Sequence, residues 1–131
     1  MDWARKDLLD IESLSPTEIQ TLLDCARYFK KVCLSPRKYA PFLQGYTVAN
    51  FFVEPSTRTR TSFELAAKHL GATVVNLSAE SSSLKKGETL KDTVLNLEAL
   101  QTDVLVMRHS ASGAPQFVAE RVRSAVLNGG D

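Results

Sequence analysis

From Tyr46 onward, short runs dense in β-branched and aromatic residues alternate with longer stretches of helical periodicity, which leaves few architectures open. Tyr46-Thr47-Val48-Ala49-Asn50-Phe51-Phe52-Val53 reads as a buried strand that Pro55 ends. Arg58 to Leu70 reads as a helix, with Phe63, Ala66, Ala67 and Leu70 on one face and Arg60, Glu64 and Lys68 on the other, closed by Gly71. Thr73-Val74-Val75-Asn76-Leu77 is a second strand, followed by a polar stretch from Ser78 to Gly87. Thr89-Leu90-Lys91-Asp92 has a capping-box pattern and opens a helix that turns Leu90, Val94, Leu97 and Leu100 inward. Asp103 to Arg108 is a third strand, Ala114 to Ser124 a helix, and Ala125 to Asn128 a last strand.

Strands separated by such helices cannot pair as hairpins, so they pair in parallel and the helices cover both faces. The expectation is an α/β chain: one three-layer αβα domain over residues 1–131, with a mostly four-stranded parallel sheet and helices on both faces. A helix precedes this unit. Ser15 is its N-cap, Pro16 its first residue and Glu18 the partner of a capping box. Ile19, Leu22, Leu23, Ala26 and Phe29 make its apolar stripe, and Leu34 to Gln44, with Pro36 and Pro41, is connector.

Composition narrows the function classes. A chain of 131 residues with 44% hydrophobic and 24% charged residues has the make-up of one soluble globular domain. No apolar run approaches the roughly 20 residues a membrane helix needs. Met1 to Asp7 mixes charges and has no apolar core of a secretory signal. Cys25 and Cys33 share a helical stretch without a second Cys/His pair, which fits reduced thiols in a cytoplasmic protein. A net charge of +1 gives no general attraction to nucleic acid or membrane, so any anion chemistry must come from local clustering.

In a doubly wound sheet, ligands bind at the carboxyl ends of the strands. The loops there are Glu54 to Thr59, Ser78 to Gly87 and Arg108 to Gly113. Ser56-Thr57-Arg58-Thr59-Arg60 stands where a helix begins. First-turn amides and the helix dipole favour an anion, hydroxyls add donors, and the Arg58 fork suits a phosphate edge. A Ser/Thr cap followed by a solvated Arg has the same letters. The segment is no Walker A loop. Ser81 to Thr89 brings serines, Lys85 and Lys86, and by composition alone also describes a flexible polar loop. Arg108 could reach the same anion as Arg58, or be a solvated strand-end cation. His69 and His109 lack the neighbours of a catalytic triad, and the acidic residues lack metal-ligand spacing. Together the loops outline a site for a small, doubly charged phosphorylated ligand.

Phe51 to Arg60, with Ser62-Phe63-Glu64 after it, resembles the carbamoyl-phosphate motif of the aspartate and ornithine carbamoyltransferases, and the resemblance runs from Asp7-Leu8-Leu9 to Leu127-Asn128-Gly129-Gly130-Asp131. Glu54, Lys85-Lys86-Gly87-Glu88-Thr89 and Val106-Met107-Arg108-His109 look like the aspartate branch; Val53 departs from the Phe usual there. The resemblance implies that Ser56, Thr57, Arg58 and Thr59 bind the phosphate and that Arg58 stabilises it as it departs. Thr59 and Arg108 would polarise the carbamoyl oxygen. Ser82, which keeps the four-residue spacing to Lys86, and Lys86 would reach a neighbouring subunit's site, because family members are trimers.

The implied reaction is attack of the L-aspartate amine on carbamoyl phosphate, giving N-carbamoyl-L-aspartate and phosphate for pyrimidine biosynthesis, with no metal or organic cofactor. In the family, a His-Pro-Thr-Gln-like segment, a second domain that holds L-aspartate and a final covering helix come later. The expectation is therefore a fragment that binds carbamoyl phosphate with little turnover and exposes an apolar patch. Half of an ornithine enzyme, or a non-catalytic phosphate-binding or assembly module, are the alternatives.

Overall fold

The computed structural model describes residues 3–53, 56–78 and 89–130. Its elements are α1 (Pro16–Leu34), β1 (Thr47–Phe52), α2 (Thr57–His69), β2 (Thr73–Ser78), α3 (Leu90–Ala99), β3 (Val104–Arg108), α4 (Ala114–Ala119) and β4 (Ala125–Asn128). The strands form one sheet in the order β2-β1-β3-β4, and every pairing is parallel. The alternating pattern read from sequence therefore gives the expected doubly wound arrangement.

Pleating divides each strand between two cores. Ala49, Phe51, Leu105, Met107 and Val126 face α3 and α4, where Val94, Leu97, Ala114, Val118 and Ala119 complete one buried cluster. Val48, Phe52 and Val106 face the other way, against Ala67 and Phe63 of α2. The sheet is thus apolar on both faces, as helices on both sides require.

Local signals set the helix ends. Ser15 Oγ accepts from the Glu18 amide at 3.1 Å while Glu18 Oε1 accepts from the Ser15 amide at 2.9 Å, a complete capping box. After α2, the Gly71 amide donates to the Lys68 carbonyl and the Ala72 amide to the Ala67 carbonyl, both at 3.0 Å, the paired bonds of a Schellman turn. Gly71 takes φ +84, and a Cβ there would stand 3.0 Å from Tyr39 Oη, so conformation and space both select glycine.

Three expectations need correction. The helix expected to run to Ser124 ends at Ala119. Beyond it the chain must return to the sheet, and Ala125 N donates to Asp103 O at 2.9 Å. Val122 and Ser124 are still buried, with Ser124 Oγ donating to Thr102 O at 2.7 Å. Leu100 caps α3 instead of turning inward and is 75% exposed. Arg60 and Glu64 are not on a solvated outer face: both are half-buried, and Arg60 Nε is enclosed.

The first residues are stitched to β4. Leu8 N donates to Val126 O and Asn128 N to Leu8 O, both at 2.9 Å, and Asp7 Oδ1 accepts from Val126 N at 2.8 Å. Lys6 Nζ donates to the carbonyls of Ala119, Val122 and Ser124 at 3.3, 3.3 and 2.8 Å, satisfying groups that α4 and its exit leave open. By contrast, α1 has no buried residue. Its rings meet the connector edge-on, Phe29 to Phe42 at 5.8 Å between centroids, and Leu23, Tyr28, Leu34 and Phe42 all stay exposed.

One ion pair holds the start of α1. Arg5 Nε donates to Glu18 Oε2 at 2.7 Å and Nη2 to Oε1 at 3.0 Å. That guanidinium, helped by the Ser15 amide, lowers the Glu18 carboxyl from 4.5 to about 2. A depressed carboxyl stabilises the fold above its unfolded pKa, and the contribution disappears as pH falls from 4.5 through about 2. Glu18→Gln should therefore flatten the acid side of the stability curve. Urea midpoints at about pH 6 and about pH 3 would show it, and parallel curves for the two proteins would remove the pair from the account.

Candidate functional site

The chain leaves β1 toward β2 on one side and later crosses back to β3 on the other. The carboxyl ends of β1 and β3 therefore flank a topological switch point, where connections diverge and a crevice opens. Phe52 and Arg108 are partners in register there, and Val53 N donates to Arg108 O at 2.9 Å. Ser56 to Arg60 begin α2 just beyond β1, and Arg108 ends β3. The structure thus brings the first and third candidate loops to adjoining strand ends. Ser82 and Lys86, the candidates on the second loop, lie outside the described residues.

The start of α2 differs from those of the other two long helices. Ser15 and Thr89 each accept a backbone amide in the first turn, and Glu18 and Asp92 add a negative charge to that turn. At α2 the N-cap Ser56 is extended, its hydroxyl makes no cap bond, and no acidic residue occupies the first turn. Four backbone N–H groups at a helix start need acceptors, and here the helix supplies neither a side-chain acceptor nor a counter-charge. Thr57 and Arg58 are exposed and Thr59 is half-buried. Among the described residues no acceptor engages the Arg58 guanidinium. Its carbonyl accepts from Ser62 Oγ at 3.0 Å.

Arg108 is held more firmly. Its Nη1 donates to Gly129 O at 3.1 Å, and its enclosed Nε has no partner among the described residues. The segment after β4 closes over it: Gly129 N donates to Met107 O at 2.7 Å, and His109 N to Gly130 O at 3.1 Å. Gly130 takes φ +134, and a Cβ there would lie 2.7 Å from Arg108 Nη1. This part of Gly130 depends on the fold, although paired glycines after a strand signal a close approach. His109 turns its ring to its own loop, where Nδ1 accepts from Ala111 N at 2.9 Å.

A second omission lies beneath α2. Asn50 is fully buried in β1, and its Nδ2 donates to Asn76 Oδ1 of β2 at 3.0 Å. Glu64 of α2 is held chiefly by Lys68 Nζ at 2.7 Å, and bonds to Lys68 and Asn76 and the Arg60 charge keep its carboxyl below the ordinary value. An asparagine within an otherwise apolar strand was the available signal.

At the other end of the sheet, Glu98, Gln101, Thr102, Asp103, Arg123 and Ser124 line a cavity of about 260 Å³. Its polar groups are engaged in the fold: Asp103 Oδ2 accepts from Thr47 N at 2.9 Å and Glu98 Oε1 from Arg123 N at 2.8 Å. Among the described residues no helix is long and apolar enough to cross a membrane. Among the described residues, the rim formed by α2 and β3 gathers at adjoining strand ends the uncapped amides of a helix start, the unengaged Arg58 guanidinium and the unpartnered Nε of Arg108.

Comparison with known proteins points to one family. The sequence profile described as "Aspartate/ornithine carbamoyltransferase, carbamoyl-P binding domain" matches residues 6–131. The aspartate carbamoyltransferase catalytic subunit of Syntrophus aciditrophicus (strain SB) is 53% identical over 131 residues, covering 100% of this chain and 43% of that protein. The same subunit of Sorangium cellulosum (strain So ce56) is 55% identical over 129 residues, covering 98% and 40%. Among solved structures, aspartate transcarbamoylase from Trypanosoma cruzi in complex with carbamoyl aspartate and phosphate superposes with a TM-score of 0.85 at 34% identity, over 97% of this chain and 40% of that one. Ornithine carbamoyltransferase from Thermus thermophilus gives 0.83 at 31%, over 98% and 43%. The chain thus spans about two fifths of the length of these relatives.

Proposed function

The chain belongs to the aspartate/ornithine carbamoyltransferase family, and from that premise we propose that it is the carbamoyl-phosphate-binding part of an aspartate carbamoyltransferase. The observation that carries the reading is the start of α2, which in a chain of this family stands at the sheet's switch point with neither a side-chain cap nor an acid. A phosphate dianion supplies the missing acceptors: first-turn amides, the Ser56, Thr57 and Thr59 hydroxyls and the Arg58 fork all donate. The aspartate branch is favoured over the ornithine branch by the curated relatives at 53–55% identity, which are aspartate enzymes.

In the complete site the L-aspartate amine attacks the carbamoyl carbon. A C–N bond forms, the carbonyl π electrons move to oxygen, and Thr59 and Arg108 donate to that oxyanion. The C–O bond to phosphate then breaks as the carbonyl re-forms, the amine loses a proton, and Arg58 stabilises the departing phosphate. L-Aspartate would be held by parts of the parent protein beyond this domain. Assembly as a trimer through this domain, with Ser82 and Lys86 serving a neighbour, and a cytoplasmic site of action in pyrimidine biosynthesis complete the proposal.

Titration calorimetry with carbamoyl phosphate tests the binding role. A charge-assisted hydrogen bond contributes about 1.5–3 kcal/mol, so Arg58→Ala should weaken binding by roughly 10- to 100-fold. Arg58 is exposed, so the fold should tolerate its removal. Equal affinities for the two proteins would refute the assignment.

A further inference from the structure

The buried Asn50 amide is costly for a strand of this kind. Val48 of β1 pairs with Val74 of β2 in the same layer with no polar group to satisfy, whereas the next inward pair is Asn50 with Asn76. Asn50 is 0% exposed, and its Oδ1 has no partner among the described residues. Leaving a buried carbonyl oxygen without a donor costs about 1–3 kcal/mol. Two aliphatic residues would avoid that cost, so the amide pair must supply something that apolar packing does not.

What it supplies is direction. Phe63 and Ala67 hold α2 on the sheet by burial, which is non-directional and lets a helix rotate or slide slightly. A hydrogen bond is angular and short in range. Asn50 Nδ2 donates to Asn76 Oδ1 at 3.0 Å, Asn76 in turn helps keep the Glu64 carboxyl of α2 below its ordinary value, and Lys68 Nζ at 2.7 Å braces the same carboxylate from the next turn. Glu64 follows Thr57 by seven residues, about two helical turns, so the two lie near one azimuth. Turning α2 by some 10° would move a side-chain tip at its start by about 1 Å, enough to misalign donors with a small anion.

We propose that Asn50 is a positioning residue for the anion site: acting through Asn76 and Glu64, it sets the rotation of α2 so that Arg58 and Thr59 point at the phosphate. This inference rests on the carbamoyl-phosphate reading above.

Charge and geometry predict opposite signs at Glu64, and that makes the test sharp. Removing a carboxylate near an anion site should tighten anion binding if only charge matters. If Glu64 orients the helix, Glu64→Ala should instead weaken carbamoyl phosphate by about five- to tenfold, whereas Glu64→Gln, which keeps an acceptor for Asn76, should bind at least as well as the parent. Asn76→Ala should weaken binding to a similar degree and should fold, because Asn76 is exposed on an edge strand. The Asn76→Ala/Glu64→Ala double variant should be no worse than either single one.

Titration calorimetry well below the unfolding transition reports only folded molecules, so a purely structural role would shift the melting midpoint and leave the dissociation constant alone. Arg58→Ala run alongside separates the two claims. If Arg58→Ala has no effect, the site assignment fails; if it weakens binding while Asn76→Ala and Glu64→Ala do not, or if their losses add, the positioning role is overturned.

Discussion

Phe51→Ala is expected to lower the free energy of unfolding by about 3–5 kcal/mol, a large part of the roughly 5–15 kcal/mol available to a domain. Phe51 is 0% exposed and sits in β1, which has a hydrogen-bonded neighbour on each side. Its ring fills the layer shared with Met107, Val94 and Val118, contributed by three other elements. Backbone hydrogen bonds hold the strand on both edges, so the sheet cannot close onto the space the ring leaves, and the cavity term adds to the transfer term. Urea unfolding would measure the loss. A change below about 1 kcal/mol would mean that this core collapses freely, contrary to the packing described.

The second large effect is expected at Gly130. Gly130→Ala should cost about 1–3 kcal/mol of stability and weaken carbamoyl phosphate by about tenfold. The backbone at φ +134 disfavours any side chain, and the new Cβ would stand 2.7 Å from Arg108 Nη1 and 3.1 Å from its Cζ. The guanidinium is the part able to move, so it would leave Gly129 O and with it the position from which it is proposed to serve the carbamoyl oxygen. Gly113→Ala is the control: φ is +86 there too, but a Cβ would meet nothing within 4 Å. It should carry strain without the binding loss. Equal affinities for the two variants would take Arg108 out of the site.

Features that depend on neighbouring residues were legible in the chain itself. Ser15-Pro16-Thr17-Glu18 and Gly71 marked helix ends, and the cores follow the strand and helix periods closely. The start of α2 was recognisable as a candidate anion site because the open amides of a helix's first turn are consecutive in the chain. What could not be read this way arises from strand order and packing. The length of α4 is set by how far the chain must travel back to pair Ala125 beside Val104. The pairing of Asn50 with Asn76 needs a register that joins residues 26 apart, and the enclosure of Arg108 by Gly129 and Gly130 needs β4 beside β3. Arg60 and Glu64 carry charge, which is normally solvated; in the fold Asn76 at the sheet edge and Lys68 act on Glu64, while Arg60 is half-buried with its Nε enclosed.

Because no side chain of α1 is fully buried, and only Ile19, Leu22, Phe29 and Val32 of its apolar residues are half-buried, its unfolding should be only loosely coupled to that of the sheet. The helix can fray or detach at the expense of its caps, the Arg5–Glu18 pair, its edge-on ring contacts and the groove that Phe29, Val32 and Cys33 share with Ala66, His69 and Leu70, leaving both cores intact. Proteolytic nicking would then begin in this helix, in molecules whose α2–β3 rim is still whole.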